Sequence, residues 1–166
     1  MIFETKRIRV RKLSKTDIEG FYALESNPAV LQYATGEVKT FSECEAELLS
    51  LINRYDAMDN DFWIFAVEEM SNHTFLGTVA LVKDIDGNDE IGYRLLQRYW
   101  GKGFATELCE GLIDYCKRIG IKKLIGSVVD ENLASAIILK RFKFKAIESF
   151  VSDDIGLPET KYVLYL

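Results

Sequence analysis

The chain has 166 residues, 48% of them hydrophobic, and carries 21 Lys and Arg against 26 Asp and Glu, a net charge of -5. That length fits one globular domain able to bury a core without staples, and the acidic balance argues against a dedicated nucleic-acid binder while leaning toward a cationic substrate. Three cysteines, Cys44, Cys109 and Cys116, with no C-x-x-C spacing, argue against a disulfide framework and a metal site and read as buried reduced thiols.

In chain order, Thr5 to Leu13 alternates apolar Ile8 and Val10 with charge, an early strand with one wet face. Ser14 with Asp17 then caps a helix whose apolar face holds Ile18, Phe21, Tyr22 and Leu24. Asn27 and Pro28 open a second, short helix. Ser42 and Glu45 form a capping box for a third, with the stripe Leu48, Leu49, Leu51, Ile52 and Tyr55. Residues 62–69, 74–84 and 89–96 read as strands joined by short turns, which implies an antiparallel meander. The longest apolar run, Phe62 to Val67, is far short of the roughly 20 residues of a membrane span. No signal peptide opens the chain, so a cytoplasmic protein with no membrane partner is expected.

A helix from Phe104 to Ile119 follows, stopped by Gly120. Strand 121–129, a helix at 132–142, strand 146–152, a loop and a last strand 160–166 complete the chain. The order β, helices, βββ, α, β, α, ββ predicts a single α+β (mixed α/β) domain around one mixed sheet flanked by helices. The unit 89–129 predicts a parallel strand pair with a crossover helix.

The stretch "RYWGKGFATE", Arg98 to Glu107, places Gly101 and Gly103 between a strand and a helix start. There the free N–H groups and the positive end of the helix dipole face outward, and glycines let an anion approach the backbone. This reads as a phosphate or pyrophosphate cradle, with Lys102 adding charge; a helix start that merely packs tightly is the alternative. The loop is neither GxxxxGK[ST] nor GxGxxG, which argues against a nucleoside triphosphatase and a Rossmann half. Lone His73 lies in a turn and reads as a surface residue.

"GYRLLQRYWGKGFATE" resembles the acetyl-CoA-binding motif of GNAT acetyltransferases, and in particular the RimJ/RimL-like branch that acetylates ribosomal-protein N-termini, with its W-G-K-G-[YF]-A-T-E. In that alignment Trp100 fills the Gln/Arg position of the general [QR]-x-x-G-x-[GA] pattern. Arg98-x-x-Gly101-x-Gly103 is a literal match in a shifted frame. "TKRIRVRKLSKTD" is similar to the branch's opening T-x-R-L-x-L-R. "DENLASAIILKRFKF" is similar to its N-x-x-S-x-x-x-x-x-x-G-F, with Asn132, Ser135 and Phe144 matching and Lys143 replacing the glycine.

The resemblance implies an N-acetyltransferase that moves an acetyl group from acetyl-CoA to a primary amine (a small molecule, a polyamine or a protein N-terminus) in a ternary complex. Its sheet would splay between the fourth and fifth predicted strands. The pantetheine of CoA would pair with backbone near Leu95 and Leu96, and the pyrophosphate would sit on Gly101, Lys102, Gly103, Phe104, Ala105 and Thr106. Asn132 would bond the pantetheine arm. Glu90 is the expected general base or else an ion-paired strand residue, and Ser135 is expected to bond the departing sulfur or else helix backbone. The family's tyrosine acid, seven residues after the asparagine, falls here on Leu139, so that role is vacant. Lys140, Arg141, Lys143 and Lys145 either serve the cofactor's phosphates or form a solvated basic face. A CoA-binding regulatory or scaffold module without turnover is the alternative function, and a homodimer stays open.

Overall fold

The computed structural model describes residues 1–166. Two strands open the chain, β1 (Phe3–Glu4) and β2 (Ile8–Lys12), followed by helices α1 (Ile18–Glu25), α2 (Pro28–Leu31) and α3 (Phe41–Arg54). The meander is β3 (Phe62–Glu69), β4 (Phe75–Lys83) and β5 (Asp89–Leu95). Helix α4 (Phe104–Arg118), strand β6 (Lys123–Val129), helix α5 (Leu133–Arg141) and strands β7 (Lys145–Val151) and β8 (Pro158–Tyr165) complete it.

The eight strands form one sheet in the order β1-β2-β3-β4-β5-β6-β8-β7. Every neighbouring pair is antiparallel except β5 and β6. That parallel pair is joined only at Asp89–Leu124 and Glu90–Ile125. Beyond Glu90 the two strands diverge, so the sheet splays where the resemblance implied. The crossover α4 bridges the divergence. It buries Phe104, Leu108, Cys109, Leu112, Ile113 and Cys116, and each such side chain contributes about 1.5–3 kcal/mol on leaving water.

Two expectations are corrected. The strand expected at Thr5–Leu13 is the shorter β2, and a further short strand, β1, precedes it: Thr5 N–H bonds Ile8 C=O at 2.8 Å, turning the chain between them. The cap of α3 is Thr40 with Glu43, two residues before the expected Ser42–Glu45 box; Thr40 N–H donates to the Glu43 carboxylate at 2.7 Å. Cys44, Leu48, Leu51 and Tyr55 are buried, while Leu49 is 42% exposed. Positions i, i+4, i+7 and i+11 make a straighter stripe than the Leu48–Leu49 doublet allowed. The remaining caps follow the sequence: Asn27 Oδ1 accepts from Ala29 N–H at 2.9 Å, and Ser14 N–H donates to Asp17 at 2.8 Å. All three thiols are free and buried.

Candidate active site

A cavity of about 840 Å³ opens where β5 and β6 part. Its wall includes Glu90 and Leu95 of β5, Gly101, Gly103, Phe104, Ala105 and Thr106 at the start of α4, and Asn132 and Ser135 at the start of α5. The opposite side is closed by α1 and α2 through Phe21, Glu25, Ala29 and Val30. Of the residues expected at the site, Leu96 and Lys102 do not line it.

The glycine loop is shaped by backbone conformation. Gly101 and Gly103 take φ of +70° and +81°, the left-handed region where a side chain costs about 1–2 kcal/mol. A Cβ on Gly101 would meet nothing within 4 Å, and one on Gly103 would meet only Arg7 Nη2 at 3.4 Å. Side chains there would project into the space an anion needs. The N–H groups from Gly101 through Thr106 find no acceptor in the protein. Unpartnered donors at the start of a 15-residue helix form an anion cradle.

Arg7, not singled out in the sequence, braces this loop. Its Nη1 donates to Lys102 C=O at 3.1 Å, its Nε meets Glu107 at 2.6 Å, and its guanidinium lies 4.3 Å from the Phe104 ring centroid. Glu107 also accepts from Thr5 Oγ1 at 2.6 Å and from Arg7 N–H at 2.7 Å. The β1–β2 turn is thus tied to the first turn of α4. Burial works to raise the Glu107 pKa, but these donors hold it below the usual carboxylate range. The signal was the T-x-R opening itself, whose partner lies 100 residues away. Lys102 instead reaches over the Tyr99 ring, 5.7 Å from its centroid.

Strand β5 presents an open edge to the cleft. Leu96 N–H donates to Leu76 C=O at 2.8 Å, so Leu96 faces β4, and Leu95 and Tyr93 by alternation face the cleft. That moves the open backbone from the expected Leu95–Leu96 to Tyr93–Leu95. Trp100 Nε1 donates to Leu95 C=O at 2.8 Å. The Trp in the motif's Gln/Arg position therefore closes the end of this edge.

Asn132 caps α5: its Oδ1 accepts from Ser135 N–H at 3.3 Å, which leaves its amide nitrogen for the cavity. The Tyr93 hydroxyl donates to Ser135 Oγ at 3.4 Å. Burial pushes the Tyr93 pKa up to about 12, against the lowering effect of its bond to Ser135, so the phenol keeps its proton. Sequence reasoning missed Tyr93; its place on the cleft side of β5, between Ile91 and Leu95, was the available signal. Leu139 is buried and packs over Gly126, its Cδ1 3.0 Å from where a Cβ would stand.

Glu90 faces the cavity at the last rung of the β5–β6 pair. Its neighbour Asp89 takes Lys83 at 2.8 Å, whereas Glu90 pairs with no cation. Glu159 on β8 is pushed up by burial and then by Asp154, Glu90 and Asp130, with Ser152 acting against them. The surroundings of Glu90 are therefore acidic. Of the basic cluster, Lys140, Arg141 and Lys145 are exposed, and Arg141 borders a polar groove that shares Gly103 and Thr106 with the cradle. Lys143 has φ of +67°, the conformation that explains a glycine in the pattern. His73 is exposed, but its Nδ1 bonds buried Glu68 at 2.8 Å.

Residues 7–145 match the model of the acetyltransferase (GNAT) domain. The chain belongs to the GNAT acetyltransferase family. As a member it is an acetyl-CoA-dependent acetyltransferase. The uncharacterized N-acetyltransferase p20 of Bacillus licheniformis is 28% identical over 146 residues, 85% of this chain and 80% of that one. The spermidine N-acetyltransferase of Vibrio cholerae, solved with CoA and spermine, superposes with a TM-score of 0.82 at 20% identity over 97% of this chain and 96% of that one. The Salmonella typhimurium enzyme that modifies the N-terminal serine of ribosomal protein L7/L12 gives 0.81 at 13%, over 98% and 96%. No helix is long and apolar enough to cross a membrane.

Proposed function

We propose that this GNAT acetyltransferase transfers acetyl from acetyl-CoA to a primary amine by direct attack in a ternary complex, in the cavity between β5 and β6. One observation carries the reading: Gly101 and Gly103–Thr106 with their free N–H groups, the open edge at Tyr93–Leu95 and the unpaired Glu90 all line one cavity. Bound there, acetyl-CoA supplies an acetyl group activated as a thioester. Gly101, Gly103, Phe104, Ala105 and Thr106 hold the pyrophosphate by backbone N–H. Tyr93 and Leu95 pair with the pantetheine arm as an added strand would, and the Asn132 amide bonds the same arm. Glu90 takes the proton of the acceptor ammonium, directly or through one water. The Ser135 hydroxyl, itself held by the Tyr93 O–H, donates to the sulfur as it leaves, which fills the role that Leu139 cannot.

The acceptor side is set by the amino-terminal helices α1, α2 and α3 and by the loop 153–160. Ile155 in the loop after β7 lies 3.6 Å from where a Cβ on Gly36 would stand, so that loop meets the segment after α2. The finer placement, in the branch that acts on ribosomal-protein N-termini, is supported by Trp100–Glu107 and by the likeness to the Salmonella enzyme. The test is thiol release from acetyl-CoA with a panel of small amines, polyamines and peptide N-termini, alongside melting curves with CoA, ATP and NAD. Thiol release that depends on an amine, with a thermal shift for CoA alone, is expected. A shift with CoA and no release with any amine would leave the non-catalytic CoA-binding module.

A further inference from the structure

The cavity floor is built from one face of β5. Residues i, i+2 and i+4 of a strand point the same way, so Glu90, Gly92 and Arg94 share that face. Glu90 and Arg94 stand about 13 Å apart along the strand, from four residues at ~3.3 Å each. Between them Gly92 lies opposite Ala80 of β4. Neither fills the space above, so the floor is a hollow with a carboxylate at one end and a guanidinium at the other.

Arg94 is held from behind. Its Nη1 donates to Glu25 Oε1 at 2.8 Å, and Glu25 is 2% exposed. Glu25 already has a second cation, Lys39, at 3.1 Å, and Lys39 also pairs with Glu47. Arg94 therefore spends one of its five N–H donors on a carboxylate that Lys39 also serves. The Arg94 side chain is one-third exposed and lines the cavity. A planar fork fixed by a buried acid, with donors to spare, is a receptor for a carboxylate or phosphate.

We infer that the acceptor is an amine that also carries an anionic group, with its ammonium toward Glu90 and its anion on Arg94. The inference rests on the proposed amine acetylation and names its substrate class. Glu25, Glu47 and Glu131 line the same cavity, with Glu25 and Glu47 already paired to cations, so a polycation is the competing acceptor.

Calorimetry on the CoA-saturated protein tests this with matched pairs long enough to reach from one side chain to the other: ε-aminocaproate against hexylamine and ω-aminocaprylate against octylamine, with spermidine added. At least one anionic member should bind tenfold or more tighter than its partner. Arg94→Gln should abolish that preference while the neutral amine binds as before. Arg94→Lys, which keeps the charge and loses the fork, should retain part of it; melting curves of both variants establish that they are folded. No preference for the anionic member of any pair, tighter spermidine than any anion, or an unchanged preference in Arg94→Gln overturns the inference. Thiol release is read separately. Anionic amines that bind without releasing thiol would keep this receptor and sink the acetylation reading; release confined to polyamines or neutral amines would do the reverse.

Discussion

In the proposed mechanism Glu90 is the base, because it places an unpaired carboxylate at the last rung of the splayed strands. Glu90→Gln keeps the shape and removes the base. Its acetyl transfer should fall by about 10²–10⁴-fold with little change in CoA affinity. The loss should shrink at high pH, where more free amine exists without help. A pH–rate profile on one confirmed amine reads this, and an unchanged acidic limb would show deprotonation elsewhere. Lys143 makes a second prediction at this scale. It holds φ of +67°, which costs a non-glycine residue about 1–2 kcal/mol, and part of that is returned by the stiffer unfolded chain. Lys143→Gly should therefore stabilise the protein by about 0.5–1 kcal/mol in urea unfolding. A loss of stability would mean that its side chain, not its backbone, sets the turn.

At the scale of elements, the start of α4 does two jobs. Its free N–H groups face the cavity while Arg7 and Glu107 lock it to the β1–β2 turn. Gly103→Val should abolish CoA binding yet leave a folded protein, because the added atoms meet only Arg7 and the empty cradle. Thermal shift with CoA checks both halves; wild-type affinity in the variant would break the cradle assignment. Local patterns made these elements legible: strand alternation, the Asn27–Pro28 cap and the glycine loop all act within a few residues. What stayed hidden depends on distant chain. The Arg7–Glu107 tie, the Tyr93–Ser135 bond and the Glu25–Arg94 pair join residues 42 to 100 apart, and no local period encodes them. The Ser42–Glu45 box failed because Thr40–Glu43 offers the same S/T-x-x-E spacing two residues earlier, and the burial of Cys44 selects it.

Across the whole molecule, charge is organised around buried acids. Arg11 bridges Asp17 at 2.8 Å and Glu68 at 2.7 Å, joining β2 to the turn before α1 and to β3. Burial works to raise the pKa of both acids. The bonds from Arg11 and Ser14 hold Asp17 low, and those from His73 and Arg11 hold Glu68 low. A carboxyl depressed in the folded state contributes stability that is fully present above its ordinary value and lost as pH falls through the depressed one. The melting temperature should thus be level above about pH 5 and fall steadily below about pH 4. Arg11→Met should lower the melting temperature at neutral pH, at a cost of about 3–5 kcal/mol for breaking the buried pairs, and should flatten the fall in acid, because burial would then raise the Asp17 carboxyl while Glu68 keeps only Arg9 and His73. A flat melting temperature down to pH 3 would show that the network contributes nothing.

Only two rungs join β5 to β6, so the sheet is in effect two panels, β1 to β5 and β6 with β8 and β7, laced at one corner. The lace is completed by whatever lies along the open edge at Tyr93 and Leu95. A cofactor that adds itself as the missing strand closes a seam in the protein as well as delivering a reactant. On the proposed binding mode, the backbone amides of Tyr93 and Leu95 should exchange hydrogen more slowly with CoA bound than without it.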